Sequence, residues 1–250
     1  MDSHIQLNQG RMNYFRNNMK DGKQTYCLSL SDLVITSQKI GELGTEPNYY
    51  SIETENTFSK YYETPLGEII HKINKGIKFQ TSNFPLLEKE KEVIQKFCAI
   101  NILRSITSNK VADLNFSINN FFSSNPEVLP KLAHELGSKI FESYNIRYIY
   151  NNSSEGFVLP SFGYYRAILD KTNTNQIVVI PVDDKIAVIL DKEVCDEYSV
   201  SKISDEKIIM NNFNYFALFM ECVTNRQFLI AKTEQPLINL RQRHLNKSSN

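Results

Sequence analysis

The sequence lacks tryptophan altogether and has no excess of charge of either sign. Among its 250 residues, 28 Lys plus Arg balance 28 Asp plus Glu. A protein that binds duplex nucleic acid without sequence specificity usually carries a clear positive excess. The balance therefore does not favour a nucleic-acid partner, and only a local basic patch stays open. The hydrophobic fraction of 41% is ordinary for a globular chain that forms a real core.

Paired cysteines, a signal peptide and long apolar runs are also missing. Zinc sites usually need ligand pairs at short spacing, so we expect free buried thiols and no metal at the four scattered cysteines, Cys27, Cys98, Cys195 and Cys222. The first residues lack the cationic start and apolar core of a signal peptide. No window approaches the ~20 apolar residues that span a bilayer. We therefore expect a soluble, cytoplasmic protein with no membrane partner.

The short motifs of common active sites are absent too. The sequence contains no GxGxxG and no P-loop, which excludes the standard phosphate-binding loops. It has neither a GxSxG nucleophile elbow nor an HExxH zinc motif.

The spacing of apolar residues changes twice along the chain. Alternation predicts two short strands near the N-terminus, at 25–30 and 33–36. A period of 3.6 residues then predicts helices that start near Glu55, Phe84 and Asn125.

The last hundred residues return to strand-like patterns. Apolar or alternating runs predict strands at 146–152, 156–160, 176–182, 186–191 and 228–232. Asp183-Asp184 predicts a hairpin turn between two of them. One helix is predicted over 204–225, and the polar tail 242–250 is expected to fray.

This order of elements predicts an α+β fold. It has N-terminal short strands, a central helical bundle and a C-terminal, mostly antiparallel sheet with one helix. We expect a single domain over 1–250, with a helical middle at about 55–145 and a sheet-rich part at about 146–235.

Two groups of polar residues resemble parts of metal sites. Glu68 and His71 stand three apart on a predicted helix, a spacing that lets both face one ion. Only one such motif is present, even if His134-Glu135 adds ligands, so an exposed histidine is the favoured interpretation.

The second group surrounds the predicted strand 186–191. Four acids, Asp183, Asp184, Asp191 and Glu193, lie near Lys192, as the acids and lysine of metal-dependent nucleases do. Lys192 falls on the opposite face of an extended strand from Asp191. This placement favours a structural role, in which the acids cap a hairpin, over a metal site.

Arg104 lies at the end of the strongest predicted helix. It either complements the helix dipole there, which we favour, or binds an anion in a pocket.

Several segments together resemble the bacterial and phage family known as domain of unknown function 4238. "IQLNQGRMNYF" is similar to the family's first motif, with Ile5 where the family has its histidine and His4 beside it. The two central helices are similar to family helices that carry an acid and an arginine, here Glu63 and Arg104. "MNNFNYFALFMECVTN" resembles its last, Asn-containing helix, with Asn211 or Asn212 at the Asn.

The stretch "GFVLPSFGYY" resembles a family strand and turn that carries Ser-Asp. This sequence has Pro160-Ser161-Phe162 there and lacks the aspartate. If the family's polar residues form an active site, the resemblance implies that this chain has lost part of it, because loss of a catalytic carboxylate costs orders of magnitude in rate.

We therefore expect a non-catalytic or catalytically eroded binding and regulatory protein, with a role in the conflict between bacteria and phages. Arg104, Glu63, Ser161 and His4 would converge on one pocket, where Arg104 binds an anionic group and Ser161 donates a hydrogen bond. The partner would be a protein or a small anionic ligand, and no cofactor is expected.

Two alternatives stay open, so the sequence does not decide whether the chain is an enzyme. In a metal-dependent nuclease or other phosphoester hydrolase, Glu63, Asp183 or Asp184 would bind Mg²⁺ or Mn²⁺, with His4 or His71 as the base. In a structural oligomer subunit, an aromatic surface would form the interface.

Overall fold

The structure, a computed structural model, describes the chain in two compact units. Unit 1 comprises residues 1–11 and 44–144, and unit 2 comprises residues 12–43 and 145–250. The boundary at Tyr144 coincides with the predicted change from helices to strands. One domain over 1–250 stays a prediction. The residues that the structure describes are 2–4, 24–43, 45–47, 51–78, 87–108, 128, 131–132, 134–135, 144–151, 155–161, 163–168, 176–191, 207–223 and 228–248.

The described residues form short strands and longer helices. The strands are β1 (Asp2–His4), β2 (Gln24–Ser29), β3 (Ile35–Lys39), β4 (Thr45–Pro47), β5 (Asn145–Tyr150), β6 (Leu159–Pro160), β7 (Tyr165–Ile168), β8 (Gln176–Pro181), β9 (Ile186–Asp191) and β10 (Phe228–Ala231). The helices are α1 (Ile52–Phe58), α2 (Thr64–Lys78), α3 (Glu88–Ser108), α4 (Lys207–Val223) and α5 (Gln235–Ser248). A π-helical turn, Ser59–Glu63, joins α1 to α2.

Unit 1 is built on the helical run from α1 through α2. Ser51 starts it, because its Oγ accepts the N–H of Thr54 at 3.1 Å. The run buries one apolar face in the core of unit 1, formed by Phe58, Tyr62, Leu66, Ile69, Ile70 and Ile73. Unit 1 also contains β1, which pairs antiparallel with β4.

The helix α3 is fixed to α2 by a charged contact. The Glu90 carboxylate accepts the N–H of Leu87, which satisfies one free donor at the start of α3. Lys72 of α2 donates to the same carboxylate at 2.7 Å. Of the third predicted helix, the structure describes helical residues at 128, 131–132 and 134–135.

Unit 2 contains two antiparallel sheets, with strand orders β3-β2-β10-β6 and β5-β9-β8-β7. The first sheet brings both ends of the sequence together, since Leu28 of β2 pairs with Leu229 of β10. In the second, β8 and β9 form the predicted hairpin. Both sheets and the helices α4 and α5 contribute to one core, which includes Leu28, Tyr165, Val179, Phe213, Leu229 and Leu237.

The α+β fold predicted from the sequence is confirmed, with two corrections in unit 2. The C-terminal part contains two helices rather than one, because α5 covers most of the tail that we expected to fray. Leu237 and Leu240 of α5 are buried, and this burial stabilises a helix of otherwise polar sequence. The strand predicted over 156–160 is also shorter, since only Leu159–Pro160 forms β6.

The cysteines follow the prediction in part. Cys27 and Cys98 are free and buried, whereas Cys222 is exposed, and Cys195 lies outside the described residues. Burial raises the pKa of the Cys27 thiol to about 12. This thiol therefore stays protonated and unreactive at neutral pH.

Candidate functional site

A cavity of about 720 Å³ lies in unit 1. One wall comes from the start of the helical run, and the other from the helical residues at 131–132 and 134–135. The described side chains that line it are polar or aromatic: Ser51, Glu53, Thr54, Thr57, Tyr61, Tyr62, Lys131, His134 and Glu135.

The π-helical turn places two consecutive tyrosines at this cavity. Bonding from i to i+5 underwinds a helix and accommodates an additional residue in the turn. Tyr61 and Tyr62 therefore both contribute to the lining, although Tyr62 is 2% exposed and Tyr61 is 50% exposed. The turn thus fixes one ring in the core and presents the other to solvent at the rim.

Two cationic or ionisable groups lie against the Tyr61 ring. The His134 ring packs edge-on, with 6.4 Å between the ring centroids. The Lys60 ammonium lies 5.1 Å from the ring centroid, within the range of a cation–π interaction. His134 also lies close to α3. The hydrogen bond from Lys96 and the charge of Lys96 lower the pKa of Glu92, and His134 adds a smaller effect in the same direction.

The charged side chains of the lining are exposed and make no ion pair within the described part of the chain. They are two carboxylates, Glu53 and Glu135, and one ammonium, Lys131. Their charges are therefore free to interact with a bound molecule.

Two hydroxyl groups of the lining donate hydrogen bonds within unit 1. Thr57 donates its hydroxyl hydrogen to the carbonyl of Glu53 at 2.9 Å. Ser51 donates to the hydroxyl of Thr54 at 3.2 Å. The Oγ of Ser51 also accepts the N–H of Thr54, so this hydroxyl serves the start of the helical run.

The residues predicted for a shared site are divided between the two units. In unit 1, Glu63 is the last residue of the π-helical turn and is half-buried, next to Tyr62 but outside the described lining. His4 lies in β1, opposite Thr45. Arg104 lies near the C-terminal end of α3. Glu68 and His71 are exposed on α2.

Ser161 belongs to unit 2, where it is fully buried against α4. Its hydroxyl donates to Glu221 at 2.7 Å, and its backbone N–H donates to the other oxygen of that carboxylate at 3.1 Å. Two helical turns earlier, Asn214 accepts the N–H of Val158 and donates to the carbonyl of Gly156. These contacts fix the stretch 156–161 on α4, which is a structural role.

The two acids of the β8–β9 turn also have local partners. Asp183 accepts the backbone N–H groups of Lys185 and Ile186 at 2.7 and 2.6 Å. Asp184 forms an ion pair with Lys232 at 2.9 Å. Asp183 therefore caps the hairpin turn, as the favoured interpretation predicts, and Asp184 connects the turn to the residue that follows β10. Among the described residues, no group of three or more His, Cys, Asp or Glu is arranged to hold a metal ion.

The pattern of the family described as "Protein of unknown function (DUF4238)" matches residues 13–155. The chain belongs to the DUF4238 family. No curated protein and no solved structure matches it.

The DUF4238 match includes all the described residues that line the cavity in unit 1, and it ends before Ser161. Family membership, predicted from the sequence, is thus confirmed. The similarity drawn over 5–12, over 156–165 and at Asn211 or Asn212 stays a prediction, since these positions lie outside the match. Among the described helices of this DUF4238 chain, none is both long and apolar enough to cross a bilayer.

Sequence reasoning missed Asn214 and Glu221, although a signal was present. The two stand seven apart on α4, so both fall on the face that carries buried Phe213, Ala217 and Leu218. Polar residues at that spacing on an apolar face indicate a buried hydrogen-bonding role. The cavity residues of this DUF4238 chain show no comparable pattern in the sequence. Thr57, Tyr61 and Lys131 are residue types that any exposed helix face carries, so nothing in the sequence predicts that they line a cavity.

Proposed function

We propose that this chain is a non-catalytic binding protein that takes a small polar organic molecule in the cavity of unit 1. The observation that carries the proposal is the cavity itself, at about 720 Å³. Ligand pockets usually measure roughly 300–1,000 Å³ and combine an apolar surface with a few polar groups. Here the tyrosine rings supply the apolar surface, and the exposed charges of Glu53, Lys131 and Glu135 supply the polar groups.

The contacts of the predicted acids support binding rather than hydrolysis. A nuclease that uses Asp183 or Asp184 needs their carboxylates for a divalent metal. In unit 2 one oxygen of Asp183 accepts two backbone N–H groups, and Asp184 is paired with Lys232. Metal binding there would disrupt the hairpin turn.

The remaining expectations from the sequence stay predictions. These are a regulatory role in the conflict between bacteria and phages, a protein partner, a cytoplasmic location, and the alternatives of a Mg²⁺- or Mn²⁺-dependent hydrolase and an oligomer subunit. A small-molecule site is compatible with the regulatory role, because a bound molecule can shift a conformational equilibrium.

Native mass spectrometry of the purified chain, equilibrated with a polar small-molecule extract of bacterial cells, tests the proposal. The wild type is expected to retain an added mass. Thr57→Trp is expected to lose it, because the indole occupies the cavity. Thr64→Trp is the matched control, since Thr64 is exposed on the same helical run and does not line the cavity. The absence of an added mass on the wild type, or its retention by Thr57→Trp, would contradict the proposal.

A further inference from the structure

We infer that the molecule bound in unit 1 is neutral and polyhydroxylated, a sugar or another polyol. Its C–H groups would pack against the Tyr61 ring, and its hydroxyl groups would bind the charged side chains of the lining, which are Glu53, Lys131 and Glu135. This inference rests on the proposed function. It adds the chemical class of the ligand, which neither the cavity volume nor the family indicates.

The first argument is that the described charges at this cavity cancel. The lining carries two carboxylates, Glu53 and Glu135, and one ammonium, Lys131. A second ammonium, that of Lys60, lies 5.1 Å from the Tyr61 ring centroid at the rim. Because these four charged side chains are exposed, water also screens each of them. An ion would therefore gain no net attraction to offset the hydration that it loses on binding. The balance favours a neutral molecule over the anionic ligand expected from the sequence.

The second argument is the polarity of the lining. Its described side chains include no Leu, Ile, Val, Met or Phe, although such residues form most of the surface in pockets for apolar molecules. A carboxylate only accepts hydrogen bonds, and an ammonium only donates them. A hydroxyl group does both, so adjacent hydroxyl groups of one molecule can donate to Glu53 or Glu135 and accept from Lys131. Hydrogen bonds to charged groups are also stronger than those between neutral groups.

The third argument is the exposed aromatic ring at the rim. Tyr61 is half exposed, and the His134 ring packs edge-on against it, with 6.4 Å between the ring centroids. The faces of an aromatic ring are electron-rich and attract C–H groups that carry a partial positive charge. A sugar ring presents such C–H groups on one side, while its hydroxyl groups point outward. A sugar packed on Tyr61 would therefore direct its hydroxyl groups to the polar lining, and the exposed Lys60 ammonium lies close enough to this ring to donate to one of them.

Separation of the polar extract of bacterial cells by ion exchange tests the inference. The cationic, anionic and neutral fractions are each equilibrated with the purified chain, and native mass spectrometry is repeated. We expect the wild type to retain an added mass from the neutral fraction and Thr57→Trp to lose it. The amount of fraction that half-saturates the protein should be the same at low and at high concentrations of ammonium acetate, because salt screens only charged partners.

Two further measurements identify the neutral molecule as a polyol. Its accurate mass should correspond to a composition with almost as many oxygens as carbons. Periodate cleaves adjacent diols, so treatment of the neutral fraction with periodate should abolish the retained mass.

Variants connect the binding to the named groups, measured as the amount of neutral fraction that half-saturates the protein. Glu53→Ala is expected to require about tenfold more, because it removes a charged hydrogen-bond acceptor. Tyr61→Leu is expected to require about fivefold more, while Tyr61→Phe keeps the ring and the affinity. Glu68→Ala removes an exposed acid of α2 outside the described lining, so it is the matched control and should bind as the wild type does. Circular dichroism confirms that each variant is folded.

Each other outcome overturns the inference in a recognisable way. A mass retained only from the cationic or the anionic fraction would assign a charged ligand and leave the proposed function standing. A neutral mass that resists periodate, or whose composition is rich in nitrogen, would assign another class of neutral ligand. Equal binding by Tyr61→Leu and the wild type would show that the aromatic ring takes no part. No mass retained from the whole extract, or a mass that Thr57→Trp still retains, would overturn the proposed function as well.

Discussion

Ser161 and Glu221 form a polar contact in the core of unit 2, where both side chains are 0% exposed. A buried carboxylate is costly unless hydrogen bonds compensate for its lost hydration. Here the hydroxyl and the backbone N–H of Ser161 each donate to one carboxylate oxygen. The serine therefore serves the stability of unit 2.

Ser161→Ala is expected to lower the free energy of unfolding by about 2 kcal/mol, because it removes a donor from a buried carboxylate. Urea denaturation measures the change. Ser37→Ala provides the control, since Ser37 is exposed in β3 and its hydroxyl bonds to the side chain of Gln24. That variant should stay within about 0.5 kcal/mol of the wild type. Equal losses in the two variants would argue against a special role for the buried contact.

At this scale the sequence predicted the residue but not its partner. The sequence places Ser161 in the stretch that resembles the family's Ser-Asp turn and predicts that its hydroxyl donates a hydrogen bond. Its acceptor, Glu221, lies 60 residues away in the sequence. A local pattern carries no information on contacts at that separation, so the sequence does not predict the acceptor.

Among the elements, the start of α3 combines a cap with an ion pair. Glu90 accepts the N–H of Leu87 and is paired with Lys72 of α2. Burial raises the pKa of the Glu90 carboxyl, but the hydrogen bonds from Lys72 and from the backbone lower it more, so the net shift is downward. A lowered pKa means that folding favours the ionised form.

The contribution of Glu90 is therefore present above the pKa of the unfolded chain and is lost as the pH falls through the lower pKa of the folded state. We expect the free energy of unfolding of Glu90→Gln to decline less steeply than that of the wild type between about pH 6 and about pH 3. Urea denaturation across this range checks the slope. Glu88→Gln should keep the wild-type slope, because Glu88 is highly exposed and its pair with Lys91 lies at the surface. A wild-type slope in Glu90→Gln would refute the assignment.

Elements with strong periodicity were predictable, and α5 was not. The β8–β9 hairpin and α4 follow directly from apolar runs and turn residues. In α5 most residues are polar, and the helix depends on tertiary contacts: Leu237 and Leu240 enter the core, and Arg243 lies 4.1 Å from the Tyr215 ring of α4. Isolated helices of this length are marginal in water. The local sequence therefore predicts a frayed tail, and the tertiary contacts that stabilise the helix are not visible in it.

On the scale of the whole molecule, unit 2 is discontinuous in the sequence. Its first segment supplies β2 and β3, and residues 44–144 of unit 1 follow before the chain returns. The hydroxyl of Thr25 donates to the carbonyl of Ala231 across β2 and β10. Alternation predicted these strands, but it specifies which side chains share a face and leaves the pairing partner undefined.

Native-state hydrogen exchange can show whether the two units unfold separately, as their separate clusters of contacts lead us to expect. Leu28→Ala should lower the opening free energy of β2 and β10 by about 3 kcal/mol, since Leu28 is fully buried in unit 2. The amides of α2 should keep their protection. Ile70→Ala, in the core of unit 1, should produce the reverse pattern. An equal loss in both units from either variant would support the single domain predicted from the sequence.

The pairing of β2 with β10 also imposes an order on synthesis. The two strands are joined by a bond between residues 206 positions apart. At a translation rate of about 5–20 residues per second, β2 leaves the ribosome roughly 10–40 s before its partner exists. During that interval the strand has one edge without its native neighbour, and such edges are sites of aggregation. The nascent chain is therefore expected to be most vulnerable before residue 231 is made, and most dependent on chaperones then.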